Sequence, residues 1–460
     1  MVIWLKVSAQ SDPSSGDNYM HLGGKFDKRK TPMRIRKILL SLFSIGFWGF
    51  VVVADNWPQW RGMDANGISN EKGLPTSWGM EENISWKVSL PGRGTSTPIV
   101  WGDLIFLTFQ FGEGPIEIRG AGDARMNRPD GGKVRFVVQC FHWSDGRLIW
   151  QYSVDAGEDL TPVHPKHNLA TPSCVTDGKF VYCWFGTGQL VCMDLRGKAI
   201  WERHIGKEYS PFKLLWAHGS SPVLHGDSLL LLCDHDPAAY LLSLDKRTGK
   251  TLWKADRGQG LRSYSTPFIA KGLNRDELIV NSNPRIDAYD PNTGELLWYA
   301  DEFCRVPIPM PVYANGMLYA SRGYNSGPYM AIRPGGKGDV SKTHVAWRVP
   351  TGAPYVSSPL YYQGLIYMAT ENGIVFCVDP STGVTLWKER TGGVFSASPV
   401  AADGKIYFLN EGGETVVVQA GRKFTLLNRN SLNERCLASP AISQGRIFIR
   451  SDQHLFCIGK

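Results

Sequence analysis

Apolar residues in this chain fall in short runs rich in β-branched and aromatic side chains, and each run ends at a turn carrying glycine or proline. That is the pattern of strands, not of amphipathic helices. No long stretch lacks Gly and Pro while keeping a 3.6-residue apolar period, so helices are expected to be scarce.

The runs repeat. A small residue, Ser or Thr where available, stands one or two steps before a proline; apolar residues, a glycine turn and a β-rich run follow. Two clear copies are Ser357-Ser358-Pro359-Leu360-Tyr361-Tyr362-Gln363-Gly364-Leu365-Ile366-Tyr367 and Ala397-Ser398-Pro399-Val400-Ala401-Ala402-Asp403-Gly404-Lys405-Ile406-Tyr407. The phrase recurs at Pro98, Pro172, Pro222, Pro267, Pro311, Pro359, Pro399 and Pro440, with spacings of 74, 50, 45, 44, 48, 40 and 41 residues. A second phrase, Asp-x-x-Thr-Gly-x-x-Leu-Trp, lies between copies at Asp245 to Trp253, Asp290 to Trp298 and Asp379 to Trp387, with weaker versions ending at Trp150, Trp201 and Trp347. The Thr-Gly pair suits a tight turn, because glycine accepts positive φ. The Trp suits a strand whose ring packs between neighbouring sheets.

Each unit thus reads as four short strands, which is one propeller blade. The expected fold is all-β: an eight-bladed β-propeller of four-stranded antiparallel blades over residues 84–460. The long first spacing implies an insertion, placed at Gly112–Lys133. The last unit, Ala438 to Ile458, lacks a Trp strand, and Ile84-Ser85-Trp86-Lys87-Val88 is a Trp strand without a unit. Pairing them closes the ring through N- and C-terminal strands and hides the open edges.

The N-terminus reads differently. Met33-Arg34-Ile35-Arg36-Lys37, the uncharged apolar run Ile38 to Val53, and Ala54 follow the order of a secretory signal peptide. The run is short for a membrane-spanning helix, which needs about 20 residues. Residues 33–54 are therefore expected to be a signal peptide and residues 1–32 a non-native leader, with Met33 as the start. No Cys lies near Ala54, so no lipid anchor is expected. Residues 55–83 would be an extension packed on the propeller, and the product a monomer, periplasmic or extracellular, with no integral membrane segment after cleavage.

The Thr-Gly-x-x-Leu-Trp turn together with the Ser-Pro strand resembles the PQQ-like repeat (PQQ, pyrroloquinoline quinone), which is shared by quinoprotein dehydrogenases and the outer-membrane assembly factor BamB. The resemblance covers about residues 84–460. The opening Asn56-Trp57-Pro58-Gln59-Trp60-Arg61-Gly62 is similar to the start of secreted planctomycete-type proteins carrying this repeat. One fold hosts many functions, so the resemblance implies architecture more than activity.

Charge and cysteines narrow the picture. The net charge of +8 is concentrated in residues 1–54, and the rest is nearly balanced. That gives no argument for nucleic acid or an anionic membrane surface. Of the nine cysteines, Cys192, Cys377 and Cys457 fall at one repeated strand position, where other units have Ser243 or Ala288; they read as small buried hydrophobes. Cys183 and Cys192 could face each other across a hairpin, which leaves a disulfide there open. No CxxC, haem-attachment or zinc spacing occurs. The PQQ enzymes' adjacent cysteine pair has no counterpart, and their calcium-binding set cannot be matched residue by residue.

In a propeller the innermost strand lines the channel, and here that is the proline-led strand. Five residues before each proline stand Arg93, His167, Ala217, Arg262, Val306, Pro354, Val394 and Arg435, with His218 and Arg305 one residue away. Arg93, His167, His218, Arg262, Arg305 and Arg435 are the candidate ligand-binding residues, a basic collar at one channel mouth suited to an anion. Pairing of these groups with acids in neighbouring loops is the competing reading. Asp234-His235-Asp236 and His164-Pro165-Lys166-His167-Asn168 add polar groups near the mouth without metal-ligand spacing. No nucleophile elbow, phosphate loop or HExxH motif occurs. The sequence favours an exported, non-catalytic binding or scaffold propeller recognising a protein or small anionic ligand. The alternative is an oxidoreductase using PQQ with calcium, or a related quinone.

Overall fold

The structure, a computed structural model, describes residues 55–112, 133–158, 160–271 and 274–459. The leader, the signal peptide and all but the ends of the Gly112–Lys133 insertion lie outside the described residues.

Eight antiparallel sheets form the blades, and in seven of them the strands follow one another from the inside outward. Blade 1 comprises Ile99–Trp101, Leu104–Phe111, Arg135–His142 and Leu148–Asp155. Blade 8 takes three strands from the C-terminus and its outer strand, Ile84–Ser89, from the start of the ring. There Trp86 stands opposite Cys457 and Lys87 opposite Phe456. Blade 4 has a fifth strand, Gly338–Asp339, parallel to Leu296–Asp301. The described helix is one turn, Ile205–Glu208.

The two sequence phrases meet between blades. Trp86, Trp150, Trp201 and Trp347 donate their indole N–H to the carbonyls of Trp143, Leu195, Lys246 and Pro380 in the next blade, at 3.0, 3.0, 3.1 and 2.8 Å. The same rings lie on Gly146, Gly197, Gly249 and Gly383 of that next blade, where an added Cβ would come within 2.6–2.8 Å of the ring. These glycines have φ between +69° and +86°. The turn therefore needs glycine twice over, for its backbone conformation and for the neighbour's tryptophan.

Closer to the axis, the hydroxyl residue before the proline links blades. Ser173 accepts from Thr97 N–H, Ser221 from Ser173 N–H and Thr266 from Ser221 N–H, at 2.9–3.0 Å. Ser358, Ser398 and Ser439 accept from the N–H groups of Met310, Ser358 and Ser398 over the same range. In blade 2 the spacing departs from the sequence reading. Val175 pairs with Tyr182 as Ile99 pairs with Phe106, so Cys174, not Pro172, stands where the other blades have proline. His167 is therefore out of the register that placed it with Arg93.

Residues 55–69, the first part of the extension, cross one end of the channel. Trp57 pairs its backbone with Val100 of blade 1, and Thr176 of blade 2 donates to Pro58 O. The Arg61 guanidinium donates to Pro359 O of blade 6 at 2.8 Å, and Gly67 and Ser69 pair with Ala401 of blade 7. Ser443 of blade 8 donates to Asp55 O at 2.5 Å. Trp60 packs against the apolar cluster of blades 4 and 5. Residues 55–69 thus span the opening and form its floor, while residues 73–78 leave it along blade 7, where Asn430 of the outer strand accepts from Trp78 N–H and donates to Thr76 O at 3.1 and 2.9 Å.

Candidate functional site

Above that floor lies a cavity of about 480 Å³. Trp60 lies in its wall, and the inner-strand hydroxyls Thr97, Ser173, Ser221, Thr266, Ser398 and Ser439 ring it. Toward the open end the wall turns aromatic and charged. The loop entering blade 2 supplies His164, Lys166 and His167; the segments leading into blades 3, 4 and 6 supply Trp216, Tyr264 and Tyr355. The hairpins of blades 6 and 7 supply Glu371 and Glu411. Inner strands enter from this end and adjacent hairpins close there, so side chains remote in sequence converge on one mouth.

The charged groups differ in how far they are committed. Lys166 Nζ lies 3.0 Å from Glu411, which also takes a hydrogen bond of 2.5 Å from Ser396. Glu371 accepts from Tyr355 N–H at 3.3 Å, which leaves most of its carboxylate open to the cavity. Trp216 is the strained member. Its φ is +71° and that of Ala217 is +66°, a left-handed pair that costs non-glycine residues about 1–2 kcal/mol each. The indole stands edge-on to His164 at 5.6 Å, and its Nε1–H is buried with no protein partner.

Behind this wall is a file of buried imidazoles. His167 meets Thr171 Oγ1 through Nδ1 at 2.7 Å. His218 packs on Trp184 at 4.3 Å and on Phe212 at 5.3 Å, and Phe212 also carries His235 at 4.3 Å. Burial lowers the His167 pKa to about 4 and that of His218 to about 3, and it pushes His235 down as well. All three are neutral at pH 7. Beyond them Arg257 is fully buried between Asp234 and Asp287, at 2.7 and 3.0 Å. That clamp absorbs the acid that precedes His235 in the Asp-His-Asp triplet.

Of the six residues expected to form the basic collar, His167 lines the cavity and His218 lies behind it. Arg262 stands on the rim 3.6 Å from Asp236, and Arg435 lies 3.4 Å from Asp452. Arg305 is exposed and lies over the Tyr324 ring at 5.9 Å. Arg93 pairs its backbone with Gln110 at the same end. The cavity wall itself holds one lysine and two glutamates and none of the four arginines. Trp216, Tyr264 and Tyr355 were missed because one offset from the proline was followed. They precede their prolines by six, three and four residues, and only the loop paths bring them together. The expected facing of Cys183 and Cys192 is also corrected: Cys192 stands opposite Tyr182, and Cys183 contacts Cys174. Among the described residues no group of three or more His, Cys, Asp or Glu is arranged to hold a metal ion.

A family model described as "Outer membrane protein assembly factor BamB" matches residues 83–255, 135–388 and 282–458. A search of curated proteins found no match. Among solved structures, the chain is similar to BamB from Moraxella catarrhalis, with 16% identity over 70% of this chain and 88% of that one and a TM-score of 0.51. It is also similar to the quinohemoprotein alcohol dehydrogenase from Comamonas testosteroni, with 11% identity, 88% and 81% coverage and a TM-score of 0.63. A europium-containing methanol dehydrogenase gives 11% identity, 86% and 89% coverage and a TM-score of 0.61. At these identities the likeness concerns the fold.

Proposed function

The chain belongs to the PQQ-like repeat family whose model is described as the outer membrane protein assembly factor BamB, and from that premise we propose that it is a non-catalytic binding propeller. Its open channel mouth receives a projecting element of a protein partner or a small ligand. One observation carries the reading. The channel is a cup, floored by residues 55–69, and its aromatic rim holds an indole N–H that is buried, strained in its backbone and without a protein partner. Strain retained at a rim residue marks a binding position more readily than a structural one. A buried donor gains most when an occupant supplies the acceptor. Rim arginines such as Arg305 can meet anionic groups, while the inner wall, with Glu371 open, suits uncharged hydrogen-bonding groups. We also read the protein as exported, on the strength of residues 33–54.

A PQQ enzyme fits the wall poorly. PQQ is a polycarboxylate, and it would meet Glu371 and Glu411 with Lys166 already paired. Adding PQQ with calcium to the purified protein tests the oxidoreductase reading: a quinone absorbance change or a raised melting temperature would revive it. The binding reading is tested by affinity capture from outer-membrane and surface extracts. We expect partners enriched on the wild-type chain and lost on Trp216→Ala with Glu371→Gln. Equal capture by both chains would overturn the assignment of the mouth.

A further inference from the structure

The eight blades serve as an internal comparison for one another, and blade 2 breaks the pattern at two facing positions. In the other seven blades the residue before the first paired inner-strand position is proline, as at Pro98, Pro222 and Pro359. The residue that faces it on the second strand, one step along the register, is apolar, as at Leu107, Leu231 and Met368. In blade 2 these two positions are Cys174 and Cys183. Both are fully buried, and their sulfurs are in contact at 2.7 Å. Continuing the antiparallel register one step from Val175↔Tyr182 sets 174 opposite 183. Directly opposed residues hold their Cβ atoms about 4.5–5.5 Å apart, near the separation that a disulfide spans.

Blade 2 is also where the inner strand is weakest. It is two residues long, Val175–Thr176, while each of the other seven inner strands has three. Loss of the proline and loss of one ladder position coincide with the gain of two facing thiols. The remaining cysteines do not share this arrangement. Cys140, Cys192, Cys377 and Cys457 all occupy a single third-strand position opposite an aromatic residue.

We propose that Cys174 and Cys183 form a structural disulfide that joins the inner and second strands of blade 2. Two thiols each lose a proton, two electrons pass to the disulfide of a thiol–disulfide exchange partner, and one sulfur–sulfur bond forms. Because both sulfurs are shut away in the folded chain, the bond forms during folding. The cross-link holds the short stretch from His167 to Ser173, which is part of the channel wall.

The test is refolding of the full chain in a buffer of oxidised and reduced glutathione, followed by alkylation in denaturant and peptide mapping. The expected result is seven alkylated cysteines of nine, with one linked peptide pair joining Cys174 to Cys183. Reduction should lower the urea midpoint of the wild-type chain. It should leave unchanged a Cys174→Pro, Cys183→Leu variant, which restores the pattern of the other blades. Nine alkylated cysteines in the refolded protein, or a link from Cys183 to Cys192, would overturn the proposal. So would a urea midpoint that is indifferent to reductant.

Discussion

The floor and the mouth of the channel are built on the same eightfold scaffold, yet they differ in how far their polar groups can be reached by an occupant. At the floor the backbone of residues 55–69 is paired with blades 1, 2, 7 and 8, and Trp57 is sealed at 1% exposure. At the mouth, Trp216 and Ala217 hold left-handed conformations, a buried indole N–H lacks a partner, and Glu371 keeps an open carboxylate. Left-handed residues and an unpartnered indole N–H occur at the floor as well, at Arg61, Ala65 and Trp57, but Trp57 and Arg61 are sealed inside the fold, while Trp216 and Glu371 line the open cavity. That difference is what separates a structural plug from a recognition surface.

The sharpest way to break the comparison is to remove one tryptophan from each end. Trp57→Ala at the floor empties a fully enclosed site, and such a loss in a core costs about 3–5 kcal/mol. Urea unfolding should show a correspondingly lowered midpoint. A change below about 1 kcal/mol, the range of ordinary surface substitutions, would mean that the extension merely lies on the ring.

Acid should act on the mouth and spare the floor, because residues 55–83 contain no histidine. His167 and His218 have folded pKa values of about 4 and about 3, lowered by burial, against about 6.5 in an unfolded chain. Below pH 6.5 the unfolded state therefore binds more protons. The stability they contribute is fully present above that pH and is lost as pH falls toward 4 and then 3. The loss should reach a few kcal/mol in all, since each pKa unit corresponds to about 1.4 kcal/mol. A melting temperature followed from pH 7 to pH 4 should fall steadily in wild type and less in His218→Phe, which keeps the ring packing on Trp184. Equal slopes would remove the buried imidazoles from the account.

The two ends also differ in how far the sequence discloses them. The blades were legible because a repeat states its own register: the proline, the Thr-Gly turn and the tryptophan recur, and the structure adds that the tryptophan of one blade rests on the glycine of the next. Even the seam was legible, since Trp86 without a unit and Phe456 without an outer strand call for each other. The mouth was legible only as a location. His167 was reached by counting back from Pro172, which stands two residues before the ring position that Cys174 holds. The arginines read either as converging on an anion or as pairing with acids of neighbouring loops, and Arg262 and Arg435 each stand beside an aspartate. Repeats encode backbone register; the reach of a side chain at a loop depends on non-repeating residues, and no period reports it.

At the mouth, Trp216→Gly sharpens the contrast with Trp57. The substitution removes a half-buried ring but frees a left-handed residue, and the two effects oppose each other at about 1–2 kcal/mol each. The unfolding midpoint should therefore move by less than about 1 kcal/mol in either direction. Partner capture should still be lost, because the indole donor and its π face go together. A large destabilisation would make Trp216 a structural residue like Trp57.

The smallest expected effect belongs to the rim. Arg262 and Arg435 form pairs at 3.6 and 3.4 Å, and their side chains keep 45% and 28% exposure. Exposed pairs of this kind contribute about 0–1 kcal/mol, so Arg262→Ala with Arg435→Ala should leave the melting temperature nearly unchanged. The readout that matters is binding. If an occupant presents carboxylates or phosphates to the rim, the double variant should weaken capture, and added salt should reduce the difference between the chains, because screening already diminishes rim electrostatics. If capture is unaffected at low salt, recognition lies wholly within the aromatic cup, and the rim arginines serve only to neutralise Asp236 and Asp452.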